Sequence, residues 1–423
     1  MASHTGGAVA QSPAEAPRVR KEIPMTRVQE HQRLRGVDLQ DADAWDDPYP
    51  YLADIRSQGQ LLWSDDWQMW LSAHHGTSDT ILRNPHIERR YEARCPESQW
   101  GSFNRLNARA ALDMSGSEHT RVRKALTTVM RPTRSTDFSA LVASEVDRLL
   151  DLLSASGTQN VDIVTGLIEP LPVNIICAAL NLEEGIGDRL RNSSIRMVAA
   201  FEKGQTPAEA ADSQLAAREL EECFLGIAST SRSSSAGRHL DSLLEQVPGS
   251  LSLDEAVANA ILLFNGGTGA LINALGTGLV TLLQQQELAS LSTPDAITLA
   301  VEEMLRHDAP LQLFERTADE EISFGGVTIA PGDRVGLLLG GANRDPEVFE
   351  SPDHFDPARH PNPHLTFSAG QHFCLGAPLA RLEMQHALRA LVDRFPRMHL
   401  AAPPLREPGF VVRGYSTILV NLE

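Results

Sequence analysis

The chain has 423 residues, 42% hydrophobic and 22% charged, an ordinary globular composition with length for a large core and, by length alone, two or three domains. Its formal charge of −18 argues against general binding to nucleic acid or an anionic membrane and leaves room only for local basic patches. Cys95, Cys177, Cys223 and Cys374 are widely separated with no C-x-x-C, which gives no support to a zinc finger, a redox dithiol or a disulfide framework and makes the cytoplasm the default location.

Residues 1–35 are polar and rich in Ala, Gly, Ser and Pro, without the apolar core of a secretion signal, and read as a disordered extension ahead of a single domain over 36–423. No apolar run reaches membrane-spanning length. Asp46 to Leu52 opens the folded part and a short helix follows, after which the β-forming runs at 61–63 and 68–72 predict a small hairpin. Residues 84–111 show no clean periodicity and read as a long loop, which in a compact domain is usually functional. It contains Trp100, Phe103, Asn104 and Asn107. Next, His119 and Arg123 stand four apart, so on a helix they share a face. Helical spacing recurs over 139–154 and 162–180. Residues 183–247 read as a helical, polar and interrupted surface layer.

The longest predicted helix covers 252–287. Ser252 and Glu255 have the form of a capping box. The body is apolar on most sides, as expected of a helix through the protein centre. Its middle, Asn265-Gly266-Gly267-Thr268-Gly269-Ala270, holds three glycines that each cost about 1 kcal/mol relative to alanine. Close helix packing is one explanation; room for a ligand is the other. Thr293-Pro294 starts another helix, carrying Glu302, Glu303 and Arg306. Short strands follow at 322–329 and 334–339, then a Pro- and His-rich segment at 345–364. The cysteine loop Phe367-Ser-Ala-Gly370-Gln-His372-Phe-Cys374-Leu-Gly376 precedes a helix over 378–395, and a strand pair ends near Val420. A cysteine at the mouth of a helix is favoured as thiolate by the terminal N–H groups and the dipole. Alone, Cys374 also reads as a buried structural cysteine.

Phe367, Gly370, His372, Cys374 and Gly376 together resemble the heme-binding signature of the cytochrome P-450 family. Glu303-Met-Leu-Arg306 is similar to that family's E-x-x-R, Phe355-Asp-Pro357-Ala-Arg359 to its P-x-R segment, Glu118-His119-Thr120-Arg121-Val122-Arg123 to its E-H-T-R-x-R helix, and Glu315-Arg316-Thr317-Ala318 to the segment that brings an arginine to the heme. The order and separations agree over roughly residues 45–420. The resemblance implies a mainly α fold with small β-sheets and a long central helix over heme b, with Cys374 as the axial thiolate on iron. It implies that His119, Arg123, Arg316 and His372 meet the propionates, since buried carboxylates need cations or donors. It further implies that Phe367, Gly370, Gly376 and Gly266 border the heme and that Glu303, Arg306 and Arg359 form a structural triad.

One departure bears on mechanism. The family's central helix usually carries an acid and a threonine that organise water for proton delivery. Anchored on Asn273 and Gly276-Thr277-Gly278, Gly266-Gly267 take the small-residue places, Gly269 the acid's and Ala270 the threonine's. Thr268 lies one position away and would need a helix bulge to serve. General acid catalysis needs a positioned donor, so the chain is expected to use substrate groups, to use peroxide in place of dioxygen and reductant, or to couple substrates oxidatively. The expected enzyme is a bacterial monooxygenase or coupling oxidase of secondary metabolism, acting on a bulky polycyclic, aromatic or peptide-derived compound. A non-catalytic heme-binding protein is the alternative from another class. Candidate substrate contacts are Trp100, Phe103, Asn104, Leu263, Leu313, Phe410 and Val411. As a monomer it would take electrons from a ferredoxin and ferredoxin reductase, docked on a basic face with Arg121, Lys124 and Arg381.

Overall fold

In the computed structural model, residues 28–183, 185–202, 204–231, 243–247 and 249–422 are described. The expected extension 1–35 lies outside them as far as residue 27. From there the chain rests on the body: Val28 is buried, and Arg33 pairs with Trp63.

The central helix, Leu253–Gln284, organises the helical part. The capping box forms as expected, with Ser252 accepting from Glu255 N and Glu255 accepting from Ser252 N. By length and a mean hydropathy of 1.3 this helix could cross a membrane, contrary to the sequence expectation, but 67% of its apolar window is buried inside the protein. It packs against helices Glu97–Ala108, Pro170–Ala179, Pro207–Ser231 and Pro294–His307. Gly278 permits the last contact, because a Cβ there would lie 2.4 Å from Met304 Cε. Thr293 caps the Pro294–His307 helix through Ala296 N, with Pro294 in its first turn.

The predicted hairpin is present, with Leu62 opposite Leu71 and Trp63 opposite Trp70. It forms the edge of a five-stranded sheet ordered Leu62–Ser64, Met69–Ser72, Arg334–Leu338, Leu313–Ala318, Ile87–Glu88. Only the Met69–Ser72 and Arg334–Leu338 pair is parallel.

Four further expectations change. The presumed loop at 84–111 holds the helix Glu97–Ala108, whose periodicity is broken by a kink at Trp100. The 162–180 helix is instead a strand, Val161–Asp162, a π-helical turn, Val164–Ile168, and a helix, Pro170–Ala179. The 183–247 layer is not merely superficial: Ala216, Ala217, Leu220 and Phe224 of Pro207–Ser231 are buried in a core cluster with Trp100 and Phe103. At the C-terminus, Tyr415–Thr417 pairs with Leu405–Arg406, while Leu419–Asn421 lies between Val161–Asp162 and His399–Leu400. Strand pairing at this distance in sequence is set by tertiary partners that local pattern does not encode.

Candidate active site

The cysteine loop is closed by Cys374 N donating to Phe367 O at 2.9 Å. It delivers the chain into the helix Ala377–Arg394. Backbone amides of Gly376 and Ala377 bond to Cys374 and favour its thiolate, as do the charges of Arg123 and Arg381, whereas burial pushes the thiol up and prevails in the protein alone. Phe367 is buried, with Arg381 stacked 4.6 Å from its ring centroid. Gly370 has φ +68°, and a Cβ there would meet Leu82 O at 2.4 Å. Gly376 has φ −80°, and a Cβ would reach Cys374 Sγ at an ordinary 3.9 Å. Only the first glycine is therefore demanded by its backbone and its neighbours.

A buried network braces this loop. Arg306 and Glu303, both fully buried, form a fork of 2.8 and 2.7 Å. Arg359 Nε joins Glu303 at 3.1 Å, and Asp356 N and Asn362 Nδ2 complete the carboxylate's partners. Arg306 also donates to the carbonyls of Asn343, Pro352 and His354. Asn343 in turn holds Thr366 Oγ1 and Leu365 N, directly before the loop. Beside it, Glu302 pairs with Arg381 and His364, which hold its carboxyl down at about 2 against the effect of burial.

Around the cysteine loop, cationic and donor groups converge. His119 is buried, and its ring lies 4.3 Å, centroid to centroid, from that of His372. Nε2 of His372 is buried with no hydrogen-bond partner among the described residues. Burial together with His119, Arg316, Arg89 and Arg123 pushes this histidine down to about 3. Arg316 is buried on strand Leu313–Ala318 with, among the described residues, only Ser368 Oγ and Glu315 O as hydrogen-bond acceptors, and burial with Arg89 nearby lowers it to about 9. Arg123 donates to Phe373 O, on the cysteine loop itself. Buried Arg316, the partly buried Arg89 and Arg123 and two imidazole donors, with Asp113 paired to Arg89, fit a group that brings its own carboxylates. Arg89 was not singled out from the sequence. It follows strand Ile87–Glu88, whose pairing of Glu88 with Thr317 sets it near Arg316, and no local motif marks it.

The central helix carries the glycine-rich stretch. It continues as α-helix through Asn265–Ala270. Thr268 is fully buried and donates to Phe264 O at 3.0 Å, so no bulge presents it. A Cβ on Gly266 would meet nothing within 4 Å, whereas one on Gly267 would press on Ile176 at 3.0 Å. Close packing thus explains Gly267 and open space surrounds Gly266. Gly269 and Ala270 are partly exposed.

The candidate substrate residues fall into two groups. Trp100 and Phe103 pack edge to face at 5.2 Å beneath the Arg94 guanidinium. Asn104 spends its amide on Tyr91, Arg94 N and Arg94 O, and Asn107 caps Phe103 O. Leu313 and Phe410 share a second buried cluster, where Gln312 N donates to Val411 O. The segment 199–202, unnoticed in the sequence, spans both: Phe201 packs on Phe103, Arg94 donates to Ala200 O, and Glu202 accepts from Val411 N and Val412 N. Leu263 lies on the central helix, partly buried. Of the candidate docking cations, Arg121 is taken by Glu255 and Arg381 by Glu302, and Lys124 is exposed.

A thiol at a helix mouth, cations gathered near its loop and a glycine-rich central helix with open space at Gly266 are the features of a heme-thiolate protein. The model of the family Cytochrome P450 matches residues 296–417. The chain is 34% identical to 6-deoxyerythronolide B hydroxylase of Saccharopolyspora erythraea over 387 residues, 87% of this chain and 92% of that one. It is 33% identical to nocardicin C N-oxygenase of Nocardia uniformis subsp. tsuyamanensis, covering 80% and 85%. The structure of P450BioI, solved with hexadec-9Z-enoic acid ligated acyl carrier protein, superposes with a TM-score of 0.85 at 26% identity, over 90% of this chain and all of that one. The chain belongs to the cytochrome P450 family. It is an oxidoreductase of that type, and its cofactor is heme b, held by a cysteine thiolate on the iron.

Proposed function

We propose that residues 36–423 form one catalytic domain that oxidises a bulky natural-product substrate, with the substrate supplying groups the central helix lacks. Cys374 would supply the thiolate to the heme iron. His119, Arg123, Arg316 and His372, with Arg89 added, would hold the heme carboxylates, and the bonds to Glu303, Arg306 and Arg359 keep the cysteine loop in place. When bound, heme supplies the oxidising chemistry. The protein excludes water from the thiolate with Phe367 and leaves open space beside Gly266.

One observation carries the reading: Gly269 and Ala270 offer no proton donor, and Thr268 spends its hydroxyl on its own helix. A positioned donor must then arrive with the ligand. Relatives named for a hydroxylation and an N-oxygenation of natural products support the substrate class. The enzyme is read as a cytoplasmic monomer reduced by a ferredoxin and its reductase. Product mass under labelled dioxygen is the test. Retained label means oxygen insertion, and loss of two hydrogens without label means bond formation. A heme-loaded protein that shows the red-shifted reduced carbon-monoxide band, yet turns over no natural-product panel with either ferredoxin or peroxide, defeats the reading.

A further inference from the structure

Arg191, on the helix Gly187–Val198, stands against the glycine gap of the central helix. A Cβ built on Gly269 would have Arg191 Nη1, at 4.0 Å, as its nearest neighbour. Glu169 takes Arg191 Nε at 3.1 Å, and the two terminal nitrogens make no hydrogen bond to any described residue. The side chain is only 16% exposed. Two carboxylates lie near enough to act on it, Glu169 and Glu407, and both reach solvent. Burial nevertheless holds the guanidinium below its usual pKa, so those screened charges do not offset its desolvation. Gly266, one helical turn before Gly269 on the same side, has open space around it. Ile176 closes the Gly267 side. An arginine fork with two terminal nitrogens unused among the described residues, one helical turn from the open space at Gly266, suits a carboxylate.

We propose that Arg191 receives a carboxylate of the substrate in the gap left by Gly269, which makes the substrate class a bulky apolar acid. This rests on the substrate-assisted reading above and deepens it. The ligand's carboxylate occupies the place where an acidic side chain on the helix would stand. Arg191 is a specificity-determining residue, and Glu169, through Nε, fixes the direction of its fork.

Equilibrium binding tests it on the heme-loaded protein, with 2-naphthylacetate and the isosteric 2-naphthylacetamide as probes in titration calorimetry. The wild type should bind the acid about tenfold more tightly than the amide, the value of roughly one charge-assisted hydrogen bond. Arg191→Gln should bring the two to parity, and Arg191→Lys should restore part of the preference. Gly269→Asp should also abolish it, by giving Arg191 an internal carboxylate. Thermal unfolding midpoints and heme content matching the wild type control for folding in each variant. Equal affinities in the wild type, no acid binding, or a preference that survives Arg191→Gln each overturn the proposal. Such a failure alongside natural-product turnover leaves the broader functional reading standing; loss of turnover with intact acid preference does the reverse.

Discussion

The rings of His119 and His372 lie 4.3 Å apart, tilted at 43°, while Nε2 of His372 is buried without a partner among the described residues. Two donors set together beside buried Arg316 are unfavourable until an anion joins them. Removing one such cation should therefore act with opposite sign on the two forms of the protein. Arg316→Met is expected to leave apoprotein thermal stability unchanged or raised. In the heme-loaded form it should speed transfer of heme to a scavenging apoprotein by about 10- to 100-fold, the worth of one charge-assisted bond. A variant that destabilises the apoprotein and leaves heme retention untouched contradicts this arrangement.

Gly370 and Gly376 look alike in the sequence motif and differ in the fold. Gly370→Ala has to adopt φ +68° and push Leu82 O away from 2.4 Å, at a cost of about 1–3 kcal/mol. Melting temperature and heme content should both fall. Gly376→Ala meets only an ordinary contact at 3.9 Å and should change stability by less than about 1 kcal/mol. Equal effects from the two variants, measured by thermal unfolding, would refute the distinction.

Breaking the brace should cost more. Glu303→Ala leaves Arg306, fully buried, without its carboxylate, and loss of one partner from a buried pair typically costs about 3–5 kcal/mol. Reduced yield of folded holoprotein and a lowered denaturation midpoint are expected, with the slope of denaturant dependence unchanged. Full stability in that variant would show that Arg306 is held by Asn343 O, Pro352 O and His354 O alone.

These contrasts show where sequence sufficed. Ser252 and Glu255, the hairpin at Leu62 and Leu71, and the order of Glu303, Arg359 and Cys374 were legible because caps, alternation and motif spacing are local signals. Arg89, Glu202 and Arg191 were not, since each acquires its neighbours through long-range pairing: a strand beside Thr317, the turn at Val411, and Gly269 across a helix interface. Arg381 misled for the same reason, as Glu302 that claims it is remote in sequence. The helix Glu97–Ala108 was hidden because its kink at Trp100 disrupts the apolar period.

Electron-partner docking follows from that correction. Phe373 protrudes beside Cys374 at 42% exposure, and Lys124, Arg131 and Arg134 are exposed on the neighbouring Gly116–Val129 helix and the turn after it. Charge reversal at Lys124 or Arg134 should slow reduction by an acidic ferredoxin several-fold at low salt and make little difference at high salt, where the charges are screened. Arg381→Glu should instead lower stability, because it sets a second carboxylate against Glu302. Stopped-flow reduction across a salt series separates the two outcomes. Rates in Lys124→Glu and Arg134→Glu that match wild type at low salt remove these cations from the interface.

His307 sets an acid limit on the fold. Its Nε2 faces Asp353 O and its Nδ1 faces Arg344 Nη2, so the neutral ring donates at one nitrogen and accepts at the other. A second proton would point at a guanidinium, and burial with Arg344 pushes this histidine down to about 4. In the unfolded chain the ordinary value is about 6.5. The unfolded state therefore takes up the proton first, so stability is flat above roughly pH 6.5 and falls as pH drops toward 4. After discounting for partial exposure, the loss is about 1–2 kcal/mol. Replacing the ring in His307→Gln should remove that part of the acid sensitivity while lowering stability at pH 7.5. Denaturant midpoints measured at pH 7.5, 6 and 4.5 check this, and an unchanged acid slope in His307→Gln would assign the sensitivity to other groups.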